Sequence, residues 1–154
     1  MAIGSQLLRV PMMLIREALL AMGCCPADAN TLRRELLAGT SIAITPGGWK
    51  ESRHLCSYNL ILQKRLGFVA LAVETGAQLV PVLCLGEQDL VGPATFWYWW
   101  VKYLACNRPM PVRVVFGPAM AARDGESVVQ LHARYIEALL AMGKQHGVQL
   151  QVVE

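Results

Sequence analysis

The sequence predicts an α/β domain with helices packed on a mostly parallel sheet, and three observations carry that reading. Segments with helical apolar spacing, at residues 12–22, 66–74 and 126–142, alternate with short β-branched or apolar runs at 41–45, 79–85 and 112–116. From residue 41 to residue 85 the order is strand, helix, strand, which is how parallel sheets are built. Two glycine-bearing steps, Gly47-Gly48 and Gly86-Glu87, fall where strands should end, and in such folds sites gather at the carboxyl ends of strands.

Pro11 suits a first helical turn, because its missing N–H is one that a helix start leaves without a partner. Met12, Ile15, Leu19 and Met22 follow at helical spacing, and Gly23 is placed to end the helix. Asp28 is an N-cap candidate for a second helix, which carries Leu32 and Leu36 one turn apart, shows Arg33, Arg34 and Glu35 outward, and stops at Gly39. Ser41–Thr45 reads as a short strand broken by Pro46, Gly47 and Gly48. After a polar connection, Leu66–Glu74 forms an apolar helix closed by Gly76, and Leu79–Leu85 a buried strand. Residues 96–103 gather Phe96, Trp97, Tyr98, Trp99, Trp100 and Tyr103 around Lys102. That cluster either anchors the chain at lipid headgroup level or packs in a core. Val112–Phe116 is a further strand, ended by Gly117-Pro118. A last helix, from about Glu126 to Met142, stripes Val128, Leu131, Tyr135, Leu139 and Met142 along one face. Gly143 and Gly147 then release the chain into a short apolar tail.

At 154 residues the chain is long enough for one domain with its own core and too short for two. An apolar fraction of 55%, a charged fraction of 16% and a mean hydropathy of +0.38 lie on the greasy side of an ordinary soluble domain. A lipid-handling or membrane-surface protein fits that balance, as does a well-packed core. The net charge of +3 comes without the Lys/Arg stripe that nucleic acid requires, so nucleic acid is not expected as a partner. Cys24, Cys25, Cys56, Cys84 and Cys106 form an odd set without C-x-x-C spacing, and read as thiols in a reducing compartment. No P-loop or zinc spacing occurs, so no metal or other cofactor is expected. Every apolar run meets a polar break before the roughly 18–20 residues that would span a bilayer, and the N-terminus does not read as a signal peptide.

Four ordered blocks go beyond pattern. Thr45-Pro-Gly-Gly-Trp-Lys-Glu51 is followed by Lys64-Arg-Leu-Gly-Phe-Val69, by Gly76-Ala-Gln-Leu-Val-Pro-Val82 and by Leu85-Gly-Glu87. In that order they resemble the diacylglycerol acyltransferase type-2 family, the first block being similar to its glycine-glycine-x-x-glutamate motif. Arg9-Val-Pro-Met with Arg16-Glu17 and Cys25-Pro26 resembles the helical stretch before that motif. Val115-Phe-Gly-Pro118 and the helix with Leu131-His132, Tyr135 and Glu137-Ala-Leu139 resemble the closing segment. The likeness covers nearly the whole chain, residues 1–154, read as a single acyltransferase domain that lacks its N-terminal part.

The resemblance implies transfer of a fatty acyl group from acyl-CoA, a co-substrate, to the hydroxyl of a glyceride or fatty alcohol. It further implies triacylglycerol synthesis at the cytosolic face of the endoplasmic reticulum membrane, with a membrane surface, and an N-terminal fragment or homologous subunit, as partners. Such chemistry needs a base, oxyanion donors and cations for the donor's phosphates. Lys50, Arg53, Lys64 and Arg65 are candidates for the cations, Arg65 lying at the N-terminus of the Leu66 helix, where anions are favoured. Ordinary solvated surface charge is the alternative for each. Gly47 and Gly48 either let substrate approach the backbone N–H groups or make a plain tight turn. Glu51 is expected to orient a base or bind an acceptor hydroxyl, unless it is simply exposed after a turn. Gly67, Phe68, Gly86 and Glu87 complete the candidate substrate-binding set. Phe68 also reads as packing, and Glu87 as a carboxylate that must find partners at a strand end. All of these should converge, with Gly48 and Arg65 on one side of the molecule.

The catalytic histidine that the resemblance implies, in an H-P-H-G block, is absent, and H-x-x-x-x-D does not occur either. Of His54, His132 and His146 only His132 has an acid five residues on, Glu137, and on one helix the two stand roughly 140° apart. His132 therefore reads as a helix-surface or packing residue, and His54 as a loop residue. The chain is expected to be either a fragment of an active acyltransferase or a non-catalytic lipid or acyl-CoA binding protein, such as a partner subunit. Loss of an N-terminal strand would leave a sheet edge and apolar surface uncovered.

Overall fold

The computed structural model describes residues 2–3, 17, 19–51, 58–86 and 111–153. Its strands are β1 (Ala2–Ile3), β2 (Cys25–Pro26), β3 (Asn59–Ile61), β4 (Val82–Leu85), β5 (Arg113–Phe116) and β6 (Gln151–Val153). Its named helices are α1 (Ala29–Leu37), α2 (Gly48–Glu51), α3 (Gly67–Thr75) and α4 (Val128–Gln145). The aromatic residues 96–103, with Cys56 and Cys106, lie outside the described residues.

Helix boundaries follow local chemistry. The Asp28 carboxylate accepts the Thr31 N–H at 3.0 Å and starts α1. α3 ends at Gly76, whose φ of +69 lets the Ala77 N–H turn back to the Ala72 carbonyl. Ser127 and Gln130 form a reciprocal capping box at the start of α4. The preceding Glu126 pairs with Arg134 at 2.6 Å, clamping that turn onto the helix. The first expected helix is seen only in part: residues 19–21 are helical, and Gly23 follows with φ +79.

The sheet departs from expectation. In place of one mostly parallel sheet, the described strands form three pairs: β1–β2 parallel, β3–β6 parallel and β4–β5 antiparallel. The class is mixed α/β. The run 41–45 forms no strand. Its Ile42 and Ile44 turn inward onto Leu32 and Leu71 with no ladder partner among the described residues, so the alternation that looked like a strand serves packing. The polar connection before Leu66 holds β3, and the apolar tail supplies β6 beside it. Gly143 does not release the chain. It is buried inside α4 where Leu150 folds back, 2.7 Å from the place a Cβ would take.

Two apolar clusters hold these pieces. The larger gathers Leu62, Leu83, Met120, Tyr135, Leu139, Met142 and Leu150. The smaller joins α1 to α3 through Leu32 and Leu71, and a two-point Arg33–Glu74 ion pair at 2.7 and 2.8 Å closes over it. On one face of the β4–β5 pair Val82, Val114 and Phe116 are exposed. Among the described residues no helix is long and apolar enough to cross a membrane. Cys24 and Cys25 are free thiols.

Candidate functional site

The paired glycines open α2, and each is required for a different reason. Gly48 has φ +60, a left-handed conformation that costs other residues about 1–2 kcal/mol. Gly47 is buried, and the space its Cβ would fill is held by the Glu51 carboxylate, with the Cβ of Glu51 only 2.7 Å away. The glutamate of the motif therefore folds back over the first glycine. The Gly48 N–H is not offered outward: it donates to the Thr45 carbonyl at 3.0 Å and closes the turn. No strand precedes these glycines, contrary to expectation, so the turn follows an irregular run.

From α2 the contacts lead directly to the second block. α2 packs against β3, and β3 continues through Leu62 into a turn closed by the Arg65 N–H on the Leu62 carbonyl at 2.9 Å. Lys64, Arg65 and Gly67 lie exposed along this turn and at the first residue of α3, whose N-cap Leu66 supplies no side-chain hydrogen bond. Phe68 points the other way, into the core. Its ring meets Tyr135 edge-on at 5.2 Å and His132 at 6.2 Å, both at 66°.

Tyr135 and His132 stand one turn apart on α4, and neither was singled out as a site residue by sequence. Burial pushes the Tyr135 phenol above its ordinary value, and the Glu51 carboxylate, within electrostatic reach, pushes it the same way. His132 is buried, and its Nε2 lies 3.1 Å from the Leu62 carbonyl. A carbonyl can only accept, so Nε2 carries the hydrogen. Glu137 is exposed on the opposite side, as the 140° separation requires. The signal for this pair was the apolar stripe of α4 itself, which contains Tyr135 and borders His132.

Gly47, Gly48, Glu51, Lys64, Arg65, Gly67 and Phe68 thus belong to one connected region. Gly86 has φ +85, and a Cβ there would stand 2.6 Å from the Pro111 carbonyl oxygen. Its smallness serves a close passage of backbone between the ends of β4 and β5. The Lys50 side chain, Arg53 and Glu87 lie outside the described residues. Among the described residues no three His, Cys, Asp or Glu side chains cluster to hold a metal.

The family model described as Diacylglycerol acyltransferase matches residues 5–98, a span that contains both glycine-bearing blocks and the cationic turn. The chain belongs to the diacylglycerol acyltransferase family. It is 28% identical over 185 residues to human diacylglycerol O-acyltransferase 2-like protein 6, an alignment covering 92% of this chain and 54% of that protein. The aligned length exceeds the chain's own 154 residues, so the human relative carries intervening residues that this chain lacks. Shorter, closer matches include diacylglycerol O-acyltransferase 2A of Umbelopsis ramanniana, 39% identical over 50% of this chain and 23% of the relative. Diacylglycerol O-acyltransferase 1 of Saccharomyces cerevisiae is 45% identical over 49% of this chain and 19% of the relative. The chain spans about half the length of the human protein and less of the other two. No solved structure matches.

Removing the Glu51 charge tests the region's assembly. Glu51→Gln is expected to bring one phenol back down toward its ordinary value in an absorbance titration near 295 nm, because a phenolate forms more easily without an anion nearby. An unchanged titration would place Glu51 away from Tyr135.

Proposed function

We propose that this chain is the part of an O-acyltransferase domain that holds coenzyme A. The reaction moves a fatty acyl group from acyl-CoA to a glyceride or fatty alcohol hydroxyl in triacylglycerol synthesis, at the cytosolic face of the endoplasmic reticulum membrane. Residues 1–154 form one partial domain of acyltransferase type in this reading. The observation that carries it is the packing of α2, which bears the glycine block, against β3, the strand that runs on into the Lys64–Arg65 turn.

In this reading the hydroxyl oxygen attacks the thioester carbonyl as a base takes its proton, an oxyanion forms, and the C–S bond breaks as that proton passes to the departing sulfur, releasing coenzyme A as its thiol. Lys64 and Arg65 hold the donor's phosphates beside the N–H groups of the first turn of α3. Lys50 and Arg53 add charge from the glycine block. Gly48 shapes the turn, and Gly47 makes room for Glu51, which orients a base or binds the acceptor hydroxyl. Gly67 and Phe68 fix the start of α3, and Gly86 and Glu87 complete the substrate-binding set. No other cofactor takes part.

Calorimetry of the chain with coenzyme A tests this. Lys64→Ala with Arg65→Ala is expected to weaken binding about a hundredfold or more, since each of the two charge-assisted contacts contributes roughly 1.5–3 kcal/mol. Equal affinity in parent and double variant would overturn it.

One observation favours a second reading, a non-catalytic acyl-CoA or lipid binding protein acting as a partner subunit. His132 is buried and engaged with Leu62 rather than placed to take a hydroxyl proton. A radiolabelled acyl-transfer assay separates the two, and product formed by the chain alone would overturn the second.

A further inference from the structure

We infer that His132 is the positioning residue of the Lys64–Arg65 turn: from inside the core its imidazole holds the carbonyl of Leu62, the residue that opens that turn, and so sets where the two cations stand. The inference rests on the proposed function only for what those cations hold.

His132 is a buried polar residue on a helix face otherwise given to Leu131, Tyr135, Leu139 and Met142. An apolar side chain would pack there without the desolvation cost of an imidazole, so the polar group needs a specific partner. That partner is the Leu62 carbonyl, 70 residues away in sequence. The same oxygen accepts the Arg65 N–H, which closes the turn upon itself. The two bonds use both lone pairs of one carbonyl for different ends. The Arg65 bond gives the turn its shape, and the His132 bond ties that shape to α4. Phe68 limits rotation of the imidazole by meeting its edge, and is itself set against Tyr135.

This arrangement separates positioning from folding. If His132 is replaced by leucine, the Leu62 carbonyl keeps its Arg65 partner, so no buried acceptor is orphaned and the core volume stays filled. The effect should then concentrate in the turn, whose exposed Lys64 and Arg65 are substrates for trypsin.

The experiment compares the parent chain with His132→Leu and His132→Gln, whose amide can donate from near the place of Nε2. Trypsin cleavage after Lys64 and Arg65, followed by mass spectrometry, is expected to quicken roughly fivefold to tenfold in the leucine variant, the factor of about one net hydrogen bond. Glutamine should restore slow cleavage. Coenzyme A affinity should fall by a similar factor with leucine and recover with glutamine. Equal cleavage in parent and leucine variant, or glutamine behaving as leucine does, would overturn the inference. Should the parent chain bind no coenzyme A, the proposed function falls, and the cleavage comparison alone decides the role of His132. Should the leucine variant fail to fold, His132→Gln against His132→Asn replaces it: slow cleavage with the longer amide only supports the role, and identical behaviour removes it.

Discussion

Leu131→Ala is expected to lower the free energy of unfolding by about 2–5 kcal/mol, the range for deleting most of a fully buried leucine. Leu131 is 1% exposed, among the most completely buried large side chains described, and it precedes His132 on α4. The loss combines the transfer free energy of three carbons with the cavity left between α4 and its neighbours. A urea titration followed by circular dichroism measures it through the midpoint at constant slope. Val129→Ala is the control on the same helix: it is 63% exposed and should change stability by no more than about 0.5 kcal/mol. Equal effects at the two positions would contradict the burial of this face.

The second large effect is expected at Gly86. Gly86→Ala combines a left-handed backbone, worth about 1–2 kcal/mol, with a Cβ placed 2.6 Å from the Pro111 carbonyl oxygen. Backbone cannot move aside as the end of a flexible side chain can, so the total should be about 2 kcal/mol or more. Thermal unfolding tests this, and coenzyme A calorimetry below the transition tells which part of Gly86 matters. Reduced stability with unchanged affinity assigns it to the β4–β5 junction. Weakened affinity with unchanged stability would return it to a substrate site.

Three of the four named helices were legible in sequence because their ends are written in local chemistry, whereas α2 was read only as a turn. Asp28 caps α1, Gly76 can turn left-handed after α3, and Ser127 with Gln130 boxes the start of α4. The strands were less so. β3 and β6 are three residues each, begin with Asn59 and Gln151, and pair across most of the chain, so no local period announces them. Residues 41–45 show the reverse failure: Ile42 and Ile44 alternate inward as in a strand, but no strand among the described residues pairs with them. Strand direction was also hidden. The strand, helix, strand order of residues 41–85 argued for a parallel pair, yet 41–45 forms no strand and β4 pairs antiparallel with β5, which lies outside that unit.

The candidate site divides in the same way. Gly48 was readable as a turn glycine, but the need for Gly47 depends on where the Glu51 side chain folds, which spacing cannot reveal. Sequence geometry separated His132 from Glu137 correctly. It could not show that the imidazole reaches a main-chain oxygen, because every residue offers one and only the fold selects which.

The bond between Leu62 and His132 also bears on how the protein is made. Both family blocks emerge from the ribosome long before α4 has been synthesised, and at roughly 5–20 residues per second they wait several seconds for it. Until then Phe68 and the strand that will meet β6 have no surface to close upon. Nascent chains in that interval are natural clients for chaperones that cover apolar segments. A stop codon between residues 70 and 128 would leave both blocks translated but unassembled.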